Sequence, residues 1–65
     1  IDIVLQTKDY VYVIEVKLDG SAASALRQVR ERGYAEPFAG DGRRVFLVGV
    51  SFSSATRGIS EWAVE

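Results

Sequence analysis

Residues 1–18 of the chain read IDIVLQTKDYVYVIEVKL. Both ends of this stretch are rich in β-branched and aromatic residues, whereas Thr7-Lys8-Asp9 in its middle is polar. β-branched and aromatic side chains favour strands, and a short polar segment between two such runs favours a turn. The stretch therefore predicts a β-hairpin with strands at Ile1–Gln6 and Tyr10–Leu18.

The register of this hairpin decides which side chains meet. A turn centred on Lys8-Asp9 pairs Asp2 with Glu15, and directly opposed residues share one face of the sheet with Cβ atoms ~5 Å apart. The two-residue period of a strand adds Lys17 to the same face. Two opposed carboxylates repel each other unless a cation lies between them, so this register predicts a divalent-metal site. A slip of one residue would separate the two acids, and no Asn-Gly turn is present to fix the pairing.

A helix is predicted after the hairpin. Ser21 is suited to cap its N-terminus, and Gly33 is placed to end it. The apolar positions of this segment recur at helical spacing and form one stripe, which we expect to cover one face of the sheet; they are Ala22, Ala25, Leu26 and Val29.

Two further strands complete the predicted sheet. Val45–Val50 is a continuous apolar run, typical of a strand buried on both faces. A Ser-rich connection is expected over Ser51–Gly58, followed by a last short strand at Ile59–Glu65 with Trp62 as its anchor. Because a strand-helix-strand connection is almost always a right-handed crossover between parallel strands, we predict an α/β fold with a mixed sheet, in the order strand, strand, helix, strand, short strand.

Composition limits the chemistry. The 65 residues form a single domain, and they include neither histidine nor cysteine, so imidazole and thiolate chemistry are excluded and any metal would be a hard, oxygen-binding cation. The absence of cysteine favours a cytoplasmic location, and no apolar run approaches the ~20 residues of a membrane span. A net charge of −1 does not by itself indicate a nucleic-acid binder. The chain opens with Ile1 inside an apolar run, and we interpret it as part of a longer chain.

Asp2 followed by Glu15-Val16-Lys17 at the end of a strand, and then by a helix, resembles the PD-(D/E)XK nuclease superfamily. The similarity extends over most of the chain and is greatest to a bacterial branch whose nuclease domain follows an AAA-ATPase-like domain. It implies the C-terminal part of a restriction-endonuclease-like core, without the first helix and strand that precede the Asp in the family. Ile1 stands where the nominal motif has proline.

The resemblance also implies roles for individual residues. Asp2 and Glu15 would be ligands of Mg²⁺, or of Mn²⁺, together with the carbonyl oxygen of Val16, and Lys17 would orient the attacking water. Gln28 and Tyr34 resemble residues that contact substrate or water in some members. Gln28 could also be an ordinary surface glutamine, and Tyr34 could be a packing residue. Nucleic acid and a preceding ATPase-like domain of the same chain are the expected partners. Without the first helix and strand, one sheet edge is expected to be open and part of the apolar face bare, which would promote self-association or contact with a partner.

Two other interpretations remain open at the level of sequence. One is a catalytically inactive domain that binds nucleic acid or a partner, since some members of the superfamily keep the fold without the activity. The other is a structural module in which Glu15 and Lys17 lie on the solvent-exposed face of a strand as an ion pair of small energetic value.

Overall fold

The computed structural model describes residues 2–33, 36–38, 40 and 42–65, with the side chain of Asp2 outside this description. Within these residues the elements are β1 (Asp2–Gln6), β2 (Tyr10–Leu18), α1 (Ala22–Arg32), a 3-10 helix (Glu36–Phe38), β3 (Arg44–Ser53) and β4 (Gly58–Val64). None of the helices in the described residues is both long and apolar enough to cross a membrane.

The β1–β2 hairpin has the predicted register. Asp2 pairs with Glu15 at its open end, and Gln6 pairs with Val11 next to the turn. Thr7 closes the turn, because its backbone N–H donates to the carbonyl of Tyr10 (2.8 Å) and its Oγ1 accepts from the N–H of Tyr10 (2.9 Å). The turn has no Asn-Gly pair to favour a tight hairpin turn. The hydrogen bonds of Thr7 close it instead.

Helix α1 begins and ends at the predicted residues. Ser21 is its N-cap and accepts a hydrogen bond from the N–H of Ser24 (3.0 Å), and Gly33 ends it in the left-handed conformation at φ 65°. That backbone conformation favours glycine, which carries no Cβ to clash. The buried residues of the helix are those of the predicted stripe, namely Ala22, Ala25, Leu26 and Val29.

The four strands form one mixed sheet in the order β1-β2-β3-β4. β2 and β3 are parallel, and both outer pairs are antiparallel. Helix α1 packs on one face of this sheet and comes closest at Gly49, where an added Cβ would clash with the carbonyl oxygen of Ala22 and lie 2.9 Å from the backbone nitrogen of Leu26. The predicted mixed four-stranded sheet with one helix is confirmed, and it is compatible with a restriction-endonuclease-like fold.

The predicted connection at Ser51–Gly58 is wrong in its first part. β3 continues to Ser53, and Lys17 and Leu18 of β2 are still paired with Ser51 and Phe52. The alternation of side chains extends past the apolar run, because Ser51 takes the buried position that follows Gly49 by two residues. The turn between β3 and β4 is therefore short and tight rather than a long loop.

The prediction that Val45–Val50 is buried on both faces is also wrong. Its side chains are only half-buried, because α1 covers one face of the sheet and the described residues place nothing on the other. We call that other side the open face. Trp62 lies on it with 69% of its surface exposed, so it does not anchor β4. The open face also carries Ile3, Leu5, Tyr12, Ile14, Val16, Phe46, Val48, Val50 and Val64.

Candidate functional site

Glu15 and Lys17 lie two residues apart on β2, with their side chains on the face covered by α1. Glu15 is the Cα partner of Gly49, next to which the helix packs most closely, and only 3% of its surface is exposed. Lys17, nearer the end of the strand, is half-buried. The interpretation of Glu15 as part of a solvent-exposed strand face is therefore wrong.

Asp2 enters the site through its backbone position. It is the direct partner of Glu15 across the β1–β2 ladder, and directly opposed residues direct their Cβ atoms to one face of a sheet. The register thus satisfies the condition on which the predicted site depended. The position of the Asp2 carboxylate lies outside the described part of the structure.

A carboxylate as deeply buried as that of Glu15 is costly unless its charge is compensated. Its Oε2 atom accepts no hydrogen bond from the described residues, although Glu15 as a residue takes part in a further polar interaction. Among the described residues no group of three or more carboxylates forms a ready metal cluster. Glu15 contributes one carboxylate to this part of the sheet, and a carboxylate is a hard oxygen ligand of the kind that Mg²⁺ or Mn²⁺ prefers.

A polar row continues from Lys17 across the sheet. Lys17 pairs with Ser51 and Ser51 pairs with Glu61, so that three polar residues follow one another on β2, β3 and β4. The Ser51 hydroxyl is 1% exposed and donates to the carbonyl of Gly20 (2.8 Å), while Oε1 of Glu61 accepts the N–H of Ala22 (2.6 Å) at the start of α1. The sequence analysis missed Ser51 and Glu61. The alternation Gly49-x-Ser51 was the signal that could have revealed the first.

Three further residues were assigned roles from the sequence, namely Val16, Gln28 and Tyr34. Gln28 is half-buried on α1, and Tyr34 lies outside the described residues. Val16 directs its side chain to the open face, as expected for a residue whose carbonyl, rather than side chain, was assigned a role.

Two comparisons with known proteins found similar sequences. A sequence profile of the PD-(D/E)XK nuclease superfamily matches residues 1–62. The chain belongs to this superfamily. It is also 33% identical over 67 residues to a protein of Azotobacter chroococcum mcd 1 named "Uncharacterized protein in vnfD 5'region", of which it spans 13%. No solved structure matches the chain.

Membership in the superfamily identifies a nuclease-like domain of the hydrolase class. PD-(D/E)XK nucleases typically use divalent metals, and the two acidic residues paired across the hairpin are of the type that such a metal requires.

Proposed function

We propose that this domain is a divalent-metal-dependent nuclease that hydrolyses phosphodiester bonds of DNA or RNA. The observation that carries the proposal is the burial of Glu15 on the same strand and face as Lys17, with Asp2 opposite it in the hairpin register. A buried acid next to a lysine, in a chain of this superfamily, is better suited to catalysis than to an exposed ion pair.

In this proposal Asp2 and Glu15 hold the cation through their carboxylate oxygens, with the Val16 carbonyl as a further ligand. Bound Mg²⁺ or Mn²⁺ would polarise the phosphate and lower the pKa of a bound water. Lys17 orients the attacking water and balances the negative charge that develops on the phosphate. Gln28 and Tyr34 are proposed to contact water or a phosphate oxygen.

The proposal also includes the context of the domain. The matched relative is far longer than this chain, which spans 13% of it. We infer a domain of a longer cytoplasmic protein, with a helix and a strand of the nuclease core ahead of Asp2 and an ATPase-like domain before them. Nucleic acid is the proposed partner of the α1-covered face, where Lys17 and the site lie.

The first prediction tests the activity in the full-length protein. Wild type is expected to nick plasmid or single-stranded substrates only with Mg²⁺ or Mn²⁺. Lys17→Ala should lower the cleavage rate on the order of 10²-fold or more while sparing metal affinity, because the ammonium acts on charge that develops in the transition state. Asp2→Ala should remove both cleavage and metal binding, measured by calorimetry.

Lys8→Ala is the matched control, since Lys8 is an exposed lysine in the hairpin turn and should change neither quantity. A wild-type protein that binds no divalent metal and cuts none of these substrates would contradict the proposal and identify the domain as an inactive member of the superfamily.

A further inference from the structure

The side chain of Lys17 lies against the loop that follows its own strand. A Cβ added to Gly20 would stand 3.2 Å from Cβ and 3.4 Å from Cδ of Lys17, so the aliphatic stem of the lysine packs over the glycine backbone. Lysine has a long side chain with high rotamer entropy, and its ammonium can act at one point only if the stem is held. The position of Gly20 therefore affects the position of the ammonium.

Gly20 is held by a residue distant in sequence. The hydroxyl of Ser51 donates to the Gly20 carbonyl (2.8 Å) across a sequence separation of 31 residues. Ser51 is in turn fixed by Ser60, whose hydroxyl donates to both the carbonyl and the Oγ of Ser51 at 3.1 Å. Ser51 itself is buried (1% exposed), whereas its two partners Gly20 and Ser60 are exposed residues.

A side chain on β4 binds the start of α1, just after Gly20 in the chain. Oε1 of Glu61 accepts the N–H of Ala22 at 2.6 Å, and Ser21 caps α1 through its contact with Ser24. The segment between Lys17 and α1 is thus fixed by β3 at Gly20 and by β4 at Ala22, which leaves little freedom for the surface on which the lysine stem rests.

We propose that Ser51 is a positioning residue for Lys17, acting through the backbone of Gly20. The inference rests on the proposed function for its catalytic meaning, since Lys17 is the residue that would orient the attacking water. Small displacements of a catalytic group are expensive: a misplacement of about 1 Å can cost roughly 10²-fold in rate. Ser51 is proposed to act by fixing the backbone that supports the lysine stem, and it is assigned no role in binding metal or substrate.

Gly20→Ala tests the contact directly. Gly20 has no positive φ, so alanine is compatible with its backbone, and the added methyl should displace the stem of Lys17 by a few tenths of an ångström. We expect cleavage by the full-length protein to fall roughly 3-fold or more, with metal affinity unchanged. Gly58→Ala is the matched control, because a Cβ there meets nothing within 4 Å.

Ser51→Ala tests the tether, with Ser53→Ala as a control on the same strand. The readout independent of activity is the NMR signal of the Lys17 side chain (¹³Cε and ¹Hε), assigned by its loss in Lys17→Arg. It should shift and broaden in Ser51→Ala and Gly20→Ala, and stay unchanged in Ser53→Ala and Gly58→Ala.

Unchanged Lys17 signals in folded Ser51→Ala and Gly20→Ala proteins would overturn the positioning role. If Ser51→Ala fails to fold, Ser60→Ala replaces it as the test of the tether, because it removes the hydroxyl that donates to the carbonyl and the Oγ of Ser51. If wild type cleaves nothing, the proposed function fails, whereas the NMR comparison still decides whether Ser51 and Gly20 set the position of the lysine.

Discussion

Asp19, the first residue after β2, binds the turn between β3 and β4. Its Oδ2 accepts the hydroxyl of Ser54 (2.6 Å) and its Oδ1 accepts the Ser54 N–H (3.0 Å). These two hydrogen bonds hold the pKa of Asp19 below its ordinary value of 3.8, because both favour the charged form. The bond from the Ser54 hydroxyl has the larger effect, and the bond from the Ser54 N–H has the smaller one. Asp19 also has a positive φ of 56°, which aspartate and asparagine tolerate better than most residues.

The second prediction follows from the sign of that shift. A carboxyl whose pKa is lower in the folded state stabilises the fold above its unfolded pKa, and the contribution disappears as the pH falls through the lower, folded pKa. The difference in unfolding free energy between wild type and Asp19→Asn should therefore be constant from neutral pH to about pH 5 and shrink below about pH 4. Urea unfolding at several pH values measures it, with Asp9→Asn in the exposed hairpin turn as the control for a lost charge. If the difference in unfolding free energy grew as the pH fell, the pKa of Asp19 would be higher in the folded state than in the unfolded state, contrary to the prediction.

The third prediction concerns Gly49. A methyl group there would clash with the backbone carbonyl of Ala22, and backbone cannot move aside as a flexible side chain can. We expect Gly49→Ala to reduce the free energy of unfolding by roughly 1–3 kcal/mol, the usual cost of overpacking, as measured by urea denaturation. Gly58→Ala, which meets nothing, should stay within about 0.5 kcal/mol of wild type. Equal stability of the two variants would mean that α1 does not pack this closely on β3.

At the residue scale, sequence reasoning predicted which side chains share a face but not which face becomes covered. The Asp2–Glu15 pairing follows from the position of the turn and the two-residue period alone. The burial of Glu15 does not, since it depends on where α1 packs, and the approach at Gly49 that allows this is a tertiary contact. For the same reason the tie from Ser51 to Gly20 could not be read from the sequence.

Helix α1 depends on its N-terminal residues, which gives the fourth prediction. Ser21→Ala should cost about 1 kcal/mol in unfolding free energy, because the N–H of Ser24 would lose its acceptor. Ser21→Thr retains a hydroxyl oxygen at the same place and should lie within a few tenths of a kcal/mol of wild type. Thermal unfolding followed by circular dichroism compares the three proteins. A loss in Ser21→Thr as large as in Ser21→Ala would indicate that shape, rather than the cap, matters at this position.

At the scale of elements, the spacing of apolar residues correctly predicted which side of a helix is buried. The length of an apolar run was a poor guide to where a strand ends. The spacing of apolar residues in α1 identified its buried stripe, and Gly33 identified its end. β3 was predicted too short because its last residues are polar, although they continue the same alternation. Local composition ended the predicted strand, whereas pairing with β2 and β4 extends the real one to Ser53.

The whole molecule has one apolar surface without a cover in the described residues, the open face. Trp62 (69% exposed), Ile59 (63%) and Val64 (52%) lie together at its β4 side. Contiguous exposed apolar surface of this kind favours association. The fold therefore presents one covered and one uncovered side of the same sheet, and only the covered side carries the candidate site.

The fifth prediction is that these 65 residues, expressed alone, self-associate through the open face. Sedimentation velocity over a wide concentration range should show a rising average mass for wild type and a lower one for Trp62→Lys, because a charge on the apolar surface opposes its burial. Thr56→Lys in the exposed β3–β4 turn adds the same charge elsewhere and should behave as wild type. A compact monomer at all concentrations would contradict the prediction.

We expect the separation of paired residues along the chain to set the order in which the contacts form. The β1–β2 hairpin is closed by a turn of three residues, and hairpins form in about 1–10 μs. The bonds from Ser51 to Gly20 and from Ala22 to Glu61 join residues 31 and 39 positions apart, so they must wait for the closure of long loops. We therefore expect the strands of Asp2 and Glu15 to pair early and the support of Lys17 to form late. Substitutions in the hairpin should act mainly on the folding rate, and those at Ser51 or Glu61 mainly on the unfolding rate.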